Sequence, residues 1–388
     1  MSRYFSYLNS AKEILSVYNG EEPFASFIKK YFAKHKKHGS KDRRQISHLC
    51  YCYFRLGKAL KDIQGEEKIL IGLFLCSSQS NEILQELRPV WNDKIYLPVE
   101  EKCSMLNVQY PIRSLFPFTD ELSEGIETVQ FILSHLLQPD LFLRLRPGKE
   151  IIVKQKLQKA GISFDQITNS CIALPNSSGI DDIIEVNKEA VVQDYSSQRV
   201  GEFLLLVGRG PSDKVWDCCA ASGGKSMMLY DLDSTIALTV SDVRESILVN
   251  LRKRFDEAGI KKYQSFIIDL TKPILNSKHQ TFNLIICDAP CSGSGTWGRT
   301  PEQLSYFEKT RIDSYSSLQK KIVSTAISQL KPGGYFLYIT CSVFKKENEA
   351  VVESIIKDVG FIIIRMELLK GYDKKADTMF AALLQKPL

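Results

Sequence analysis

Residues 191–388 of this 388-residue chain predict an α/β fold. The expected sheet is mostly parallel and carries helices on both faces. A small α+β unit and an N-terminal helical domain precede it. Three observations predict this. From residue 191 onward, strand-like and helix-like runs alternate. The strand runs are mostly apolar along their whole length, as a sheet covered on both faces requires. Before residue 138, apolar residues recur at three- and four-residue spacing, the period of helices. The chain divides accordingly into 1–137, 138–190 and 191–388.

The helical period shows in Tyr7, Leu8, Ile14, Leu15 and Tyr18, and again in Phe24, Phe27, Ile28, Tyr31 and Phe32. A third run, 46–60, carries Leu49, Tyr53, Leu56 and Leu60. Between the second and third runs, residues 29–44 hold eight Lys and Arg, with Gly39, Ser40 and Asp42 marking a turn and a helix start. Alone, that stretch reads as a solvated helix face. A phosphate-contacting patch is the alternative. In 138–190, a strand at 141–146 stops at Pro147-Gly148, a helix spans 150–160 and Gly161 closes it, and short strands are expected near 162–164 and 170–174. Arg144 and Arg146 on the first strand face either RNA or the rim of the core. Beyond 191, seven strands are expected at 214–220, 235–242, 263–269, 282–288, 335–341, 361–367 and 379–385. Helices are expected at 244–258, 311–330 and 347–358, the second stopped by Pro332-Gly333.

Composition restricts the setting. Lys and Arg total 51 and Asp and Glu 45, a formal charge of +6, which permits an acidic partner without demanding one. The first residues lack the apolar core of a signal peptide, and the longest apolar run, 69–76, is far short of a membrane span. A monomeric cytoplasmic protein is therefore expected, without a membrane role. Its ten cysteines include no C-x-x-C pair, and none of the five histidines stands at zinc-ligand spacing from one. Reduced thiols, mostly small packing residues, are expected, with no metal site.

In parallel sheets, ligands sit beyond the carboxyl ends of the strands. The first of the seven strands runs into Cys219-Ala220-Ala221-Ser222-Gly223-Gly224-Lys225, small residues that let a backbone approach a ligand and open a helix. The second ends at Asp242, eighteen residues after Gly224, where a ribose diol needs an acceptor. The third ends at Asp269, placed to meet an adenine amino group. A phosphate loop would need glycine where Cys219 stands. The G-x-G-x-x-G letters at 293–298 are followed by Arg299-Thr300-Pro301 and open no helix directly. Ribose and adenine without a phosphate anchor fit S-adenosylmethionine.

The fourth strand ends Asp288-Ala289-Pro290-Cys291 and the fifth Thr340-Cys341-Ser342. If these strands are neighbours, both thiols face one cleft. A thiolate can attack carbon 6 of a pyrimidine and make carbon 5 nucleophilic enough to take a methyl group. The second cysteine can then assist proton removal or product release, and Asp288 can hydrogen-bond the cytosine edge.

The runs 219–225, 288–293 and Thr340-Cys341-Ser342, with Glu347-Asn348-Glu349 downstream and the approach 192–198, resemble the RsmB (Fmu/Sun) family of RNA cytosine-5 methyltransferases. The resemblance implies a Rossmann-like class I domain. In it, Cys341 is the nucleophile, Cys291 assists product release, and Lys225 lies close to the reacting centre. Residues 219–225, Asp242, Asp269 and Asp288 bind or border S-adenosylmethionine. Ser222 departs from the family's usual proline. Asp42-Arg43-Arg44 and the aromatic-rich helix after it resemble a NusB-like RNA-binding domain, and 138–190 a small RNA-binding unit. Ribosomal RNA is the implied substrate, with transfer RNA the runner-up. The rival from another class is a catalytically silent RNA-binding factor.

Overall fold

The computed structural model describes residues 3–63, 65–106, 112–208, 210, 212–274 and 281–388. They form two compact units. The first comprises residues 1–120, 126–138 and 296–309, and the second residues 121–125, 139–295 and 310–388.

The first unit is helical, with long helices Arg3–Val17, Phe24–Lys34, Ser40–Arg55 and Gly65–Cys76. The third begins where Asp42 predicts, its carboxylate accepting the Gly39 N–H at 3.0 Å. The last two pack closely because Gly72 has no side chain: a Cβ there would lie 2.6 Å from the Cys52 carbonyl oxygen. Tyr18, Phe24 and Phe54 meet edge to face with centroids 4.9–5.6 Å apart. Buried Arg55 donates to the carbonyls of His135 and Leu137. The segment 296–309 lies between strands of the larger sheet in sequence, yet it packs here. The Trp297 ring packs at a tilt against Phe307 and Phe116, with centroids 4.9 and 5.9 Å away, and the Tyr306 hydroxyl donates to the Tyr18 carbonyl. Lys29, Lys30, Lys34, Lys36, Lys37, Lys41 and Arg44 are all exposed on this unit.

The second unit holds two sheets. The smaller is antiparallel, in the order β2-β3-β1-β4, from β1 (Leu141–Leu145), β2 (Asp165–Gln166), β3 (Cys171–Leu174) and β4 (Ala190–Val192). No strand forms at 162–164. The helix Glu150–Lys159 ends at left-handed Gly161 (φ +69°), and the Ile162 N–H turns back to the Leu157 carbonyl. Ile162 and Phe164 then pack on the core instead of pairing.

The larger sheet has seven strands: β5 (Lys214–Asp217), β6 (Ala237–Asp242), β7 (Gln264–Ile267), β8 (Phe282–Asp288), β9 (Leu330–Thr340), β10 (Ile362–Leu369) and β11 (Met379–Gln385). Their order is β10-β11-β9-β8-β5-β6-β7. The pairs within β9-β8-β5-β6-β7 are parallel, and β11 runs antiparallel to both its neighbours. Apolar residues bury on both faces, Val215 and Ile286 on one, Trp216 and Ile285 on the other. This explains why the strands read as continuous apolar runs. One boundary differs from expectation. The helix Thr310–Ile327 stops early and β9 begins at Leu330, ahead of Pro332-Gly333. A register shift against β8, between Phe282 and Leu284, absorbs the Pro-Gly-Gly run. The chain builds outward through β5, β6 and β7, then returns to β8 on the other side of β5. That reversal opens a crevice at the carboxyl ends of β5, β6 and β8.

Candidate active site

The crevice begins with the turn after β5. Ala221 (φ +45°) and Gly223 (φ +83°) are left-handed, and a Cβ on Gly223 would lie 2.6 Å from the Phe255 ring. Glycine is therefore required there. Ser222, where proline was the expectation of the family, is tethered instead. Arg254 donates to its carbonyl at 2.8 Å and to its hydroxyl at 2.7 Å. The helix Gly224–Leu232 follows.

Asp242 at the end of β6 is buried and accepts the N–H groups of Ala221 (3.1 Å) and Arg244 (3.0 Å). It fixes the glycine turn while bordering the crevice. Asp269 follows β7 and accepts from the Thr271 hydroxyl at 2.6 Å. Hydrogen bonds from Thr271 and Lys272 hold its carboxyl below the ordinary range. Cys219, Ala221, Asp242, Asp269, Asp288 and Cys291 line one cleft of about 670 Å³, within the usual range for a small-molecule site. Lys225 reaches it from the helix, its ammonium donating to Asp288 at 3.1 Å and to the Ser197 hydroxyl at 2.7 Å. Ala220, Ser222, Gly223 and Gly224 support the turn without lining the cleft.

β8 and β9 are neighbours, with Asp288 opposite Ile339. Their ends bring Cys291 Sγ to 3.2 Å from Cys341 Sγ. Both are free thiols. The Cys341 thiol beside it, burial and the nearby Glu347 carboxylate push the Cys291 thiol well above its ordinary range. Close backbone packing makes this approach possible. Gly295 donates to the Cys341 carbonyl at 2.9 Å, and a Cβ on it would overlap the Thr378 carbonyl oxygen at 1.9 Å. The glycine of the 293–298 letter match thus serves to pack the cysteine loops.

Several residues behind the thiols escaped the sequence reading as contributors. Glu347 is fully buried and accepts from the Ser292 N–H (2.9 Å), the Ser342 hydroxyl (2.8 Å) and the Gln319 amide (3.0 Å). It ties the Cys291 loop to the Cys341 loop, and burial raises its carboxyl. Asn348 accepts from the Thr340 hydroxyl and donates to the Ser342 carbonyl. Their only signal in sequence is the polar cluster 347–349. Asp217 at the end of β5 is fully buried and accepts from the Ser226 hydroxyl at 2.6 Å; its Oδ1 has no hydrogen-bond partner among the described residues. Burial pushes it up to about 7.

Arg144 and Arg146 both turn onto one acid. Both guanidinium groups close on Asp231, at 2.5 and 2.6 Å, and all three side chains are largely buried. An acid on a neighbouring helix, invisible from local sequence, turns this pair inward.

A parallel sheet with a reversal point, a left-handed glycine turn and acids at successive strand ends define a Rossmann-like methyltransferase domain of the S-adenosylmethionine-dependent kind. Comparison agrees. Residues 205–379 match the model of the family described as 16S rRNA methyltransferase RsmB/F. Ribosomal RNA small subunit methyltransferase B of Xanthomonas campestris pv. campestris is 32% identical over 167 residues, 43% of this chain and 38% of that protein. The tRNA (cytosine(72)-C(5))-methyltransferase NSUN6 of Mus musculus is 32% identical over 160 residues, 37% of this chain and 32% of that one. The solved structure of PH0851 shares the fold, with a TM-score of 0.71 at 19% identity over 98% of this chain and 97% of that one. The chain spans about half or less of the length of the curated relatives it matches. Over residues 205–379, this chain is similar to members of the RsmB/F family.

Proposed function

We propose that the chain is an S-adenosylmethionine-dependent RNA cytosine-5 methyltransferase that works through a covalent Cys341 adduct. The observation that carries this reading is the 3.2 Å approach of two thiols at the ends of neighbouring strands, beside the acid-lined cleft. The cleft residues fit the cofactor: Asp242 offers a carboxylate to a ribose, Asp269 one to an adenine edge, and the turn at 219–224 leaves room for a close backbone approach. The bound cofactor supplies an electrophilic methyl group.

The protein's own residues prepare the base. The Cys341 thiolate adds to carbon 6 of cytosine, forming an S–C bond and placing the electron pair at carbon 5. Asp288, held by Lys225, takes the base's polar edge and steadies the ring in the adduct. After carbon 5 has taken the methyl group, its proton passes by way of Cys291 to solvent, the C5–H pair re-forms the C5–C6 double bond, and the S–C6 bond breaks with its pair returning to sulfur. Cys291 assists this release. It keeps its proton above the ordinary thiol range, which suits a group that exchanges protons with its neighbour. Such chemistry needs the base out of its stack.

Ribosomal RNA is the substrate favoured by the family description and by relatives named ribosomal RNA small subunit methyltransferase B. The relative named for transfer RNA makes that the second reading. No helix among the described residues is long and apolar enough to cross a membrane, and we place the reaction in the cytoplasm, on a monomer. Tritium transfer from labelled cofactor to bulk RNA from cells lacking the protein tests the reading. Incorporation is expected with the native chain and none with Cys341→Ala, which should still bind the cofactor. No incorporation with the native chain into any RNA favours the silent RNA-binding factor. Full incorporation with Cys341→Ala removes the nucleophile assignment.

A further inference from the structure

Three thiols outside the catalytic pair converge beneath the cleft. β5 and β8 are parallel neighbours with Asp217 opposite Ile286, and the Cys218 N–H bonds to the Ile286 carbonyl at 2.9 Å. One step further along, Cys218 and Cys287 therefore lie side by side, and Cys219 follows at the cleft wall. Their three sulfur atoms lie within 4.8 Å of one another. Cys218 and Cys287 are buried against Trp216 and Tyr338, and Cys219 is half-buried and borders the cleft.

We propose that Cys218, Cys219 and Cys287 form a binding site for a divalent thiophilic cation of the Zn²⁺ class, with its open coordination position toward the cleft. Three sulfurs no more than 4.8 Å apart share a point no farther than about 2.8 Å from each. A Zn–S bond is about 2.3 Å, so closing the site asks each sulfur to move by about half an ångström. Three soft donors without carboxylate or imidazole select zinc or cadmium over magnesium or calcium. The thiols release their protons when the ion binds. Cys219 gives the ion a path from the cleft, and the Asp242 and Asp288 carboxylates, both on the cleft lining, favour a cation there. Neither a C-x-x-C spacing nor a histidine marks the site, because its ligands come from two strands that only the sheet brings together. Since Cys218 and Cys219 border the cleft assigned to the cofactor, the ion should weaken cofactor binding; that consequence rests on the proposed function, whereas the site itself does not.

The test uses the full chain carrying Cys291→Ser and Cys341→Ser, which removes the thiol pair nearest the cleft. Cd²⁺ alone is titrated, and the thiolate-to-cadmium ultraviolet band is followed. One tight equivalent is expected, with affinity falling on the order of a hundredfold when Cys287→Val deletes one of three ligands. No band, or a band indifferent to Cys287→Val, overturns the site. A readout on the parent protein does not depend on that variant folding. Zn²⁺ should protect Cys219 from maleimide alkylation, mapped by mass spectrometry, and an unprotected Cys219 also overturns the site. Weakened S-adenosylmethionine binding in the presence of Zn²⁺ supports the shared cleft. Unchanged cofactor affinity with intact Cd²⁺ binding removes only the competition and leaves the site.

Discussion

At the scale of single residues, the proposed catalytic centre is a set of groups whose ordinary chemistry is altered by where the fold places them. Asp217 is the clearest case. Its carboxyl is pushed up to about 7 by burial, against the Ser226 hydroxyl. An acid whose folded value is raised holds its proton in the folded chain and loses it on unfolding. Its contribution to stability is whole below the unfolded carboxyl range and is lost as pH rises toward about 7. Asp217→Asn is therefore expected to raise the melting temperature at pH 8 by at least about 2 °C and to change it little at pH 4. Thermal scans at the two pH values check this, and an equal shift at both removes the titration account. The site residues themselves were largely legible. Cys219, Asp242, Asp269, Asp288 and Cys291 were placed at strand ends by periodicity, and the structure gathers them around one cleft. Glu347 and Gln319 were not legible as partners, because a buried hydrogen-bond network joins residues 28 positions apart in the chain. The inward closure of Arg144 and Arg146 on Asp231 was hidden for the same reason.

At the scale of elements, the loops after β8 and β9 matter most. They approach closely because Gly295 lets the Thr378 and Cys341 backbones pass beside it. Gly295→Ala places a Cβ against the Thr378 carbonyl oxygen, which nothing flexible can relieve. A loss of about 1–3 kcal/mol is expected, with methyl transfer falling more than stability because the two thiols separate. Denaturant unfolding beside single-turnover rates checks both; unchanged rates remove Gly295 from the positioning of the cysteines. The basic stretch is a second element with a definite expectation. Lys34, Lys36 and Lys37 are exposed on the helical unit. If they contact phosphates, replacing all three with Ala should weaken RNA binding and reduce the slope of log affinity against log salt by about 2 to 3. An unchanged slope returns the stretch to a solvated face. Strand existence was readable from continuous apolar runs, but boundaries were not. The start of β9 at Leu330 depends on pairing with Phe282, and the missing strand at 162–164 on Gly161 closing the preceding helix.

At the scale of the whole molecule, a sheet-bearing unit and a helical unit share one chain, and their sequences interleave. Residues 296–309 follow the Cys291 loop directly yet pack with the helices. Nothing in their composition announces this. Trp297, Tyr306 and Phe307 read simply as apolar, and only their aromatic partners, Phe116 and Tyr18 among them, reveal the unit to which they belong. The seven-stranded sheet, by contrast, was legible because each strand and helix is locally self-consistent, with period, caps and turn residues pointing to one arrangement. The central claim concerns what that sheet holds at its edge: two thiols with unequal tasks, one forming the bond to RNA and the other releasing it. Incubation of the Cys291→Ser variant with cofactor and substrate RNA, followed by a denaturing gel, tests it directly. The account predicts a covalent RNA–protein complex that is absent with Cys341→Ala and with the Cys291→Ser/Cys341→Ala double variant. A complex trapped by Cys341→Ala and not by Cys291→Ser contradicts it and exchanges the two roles.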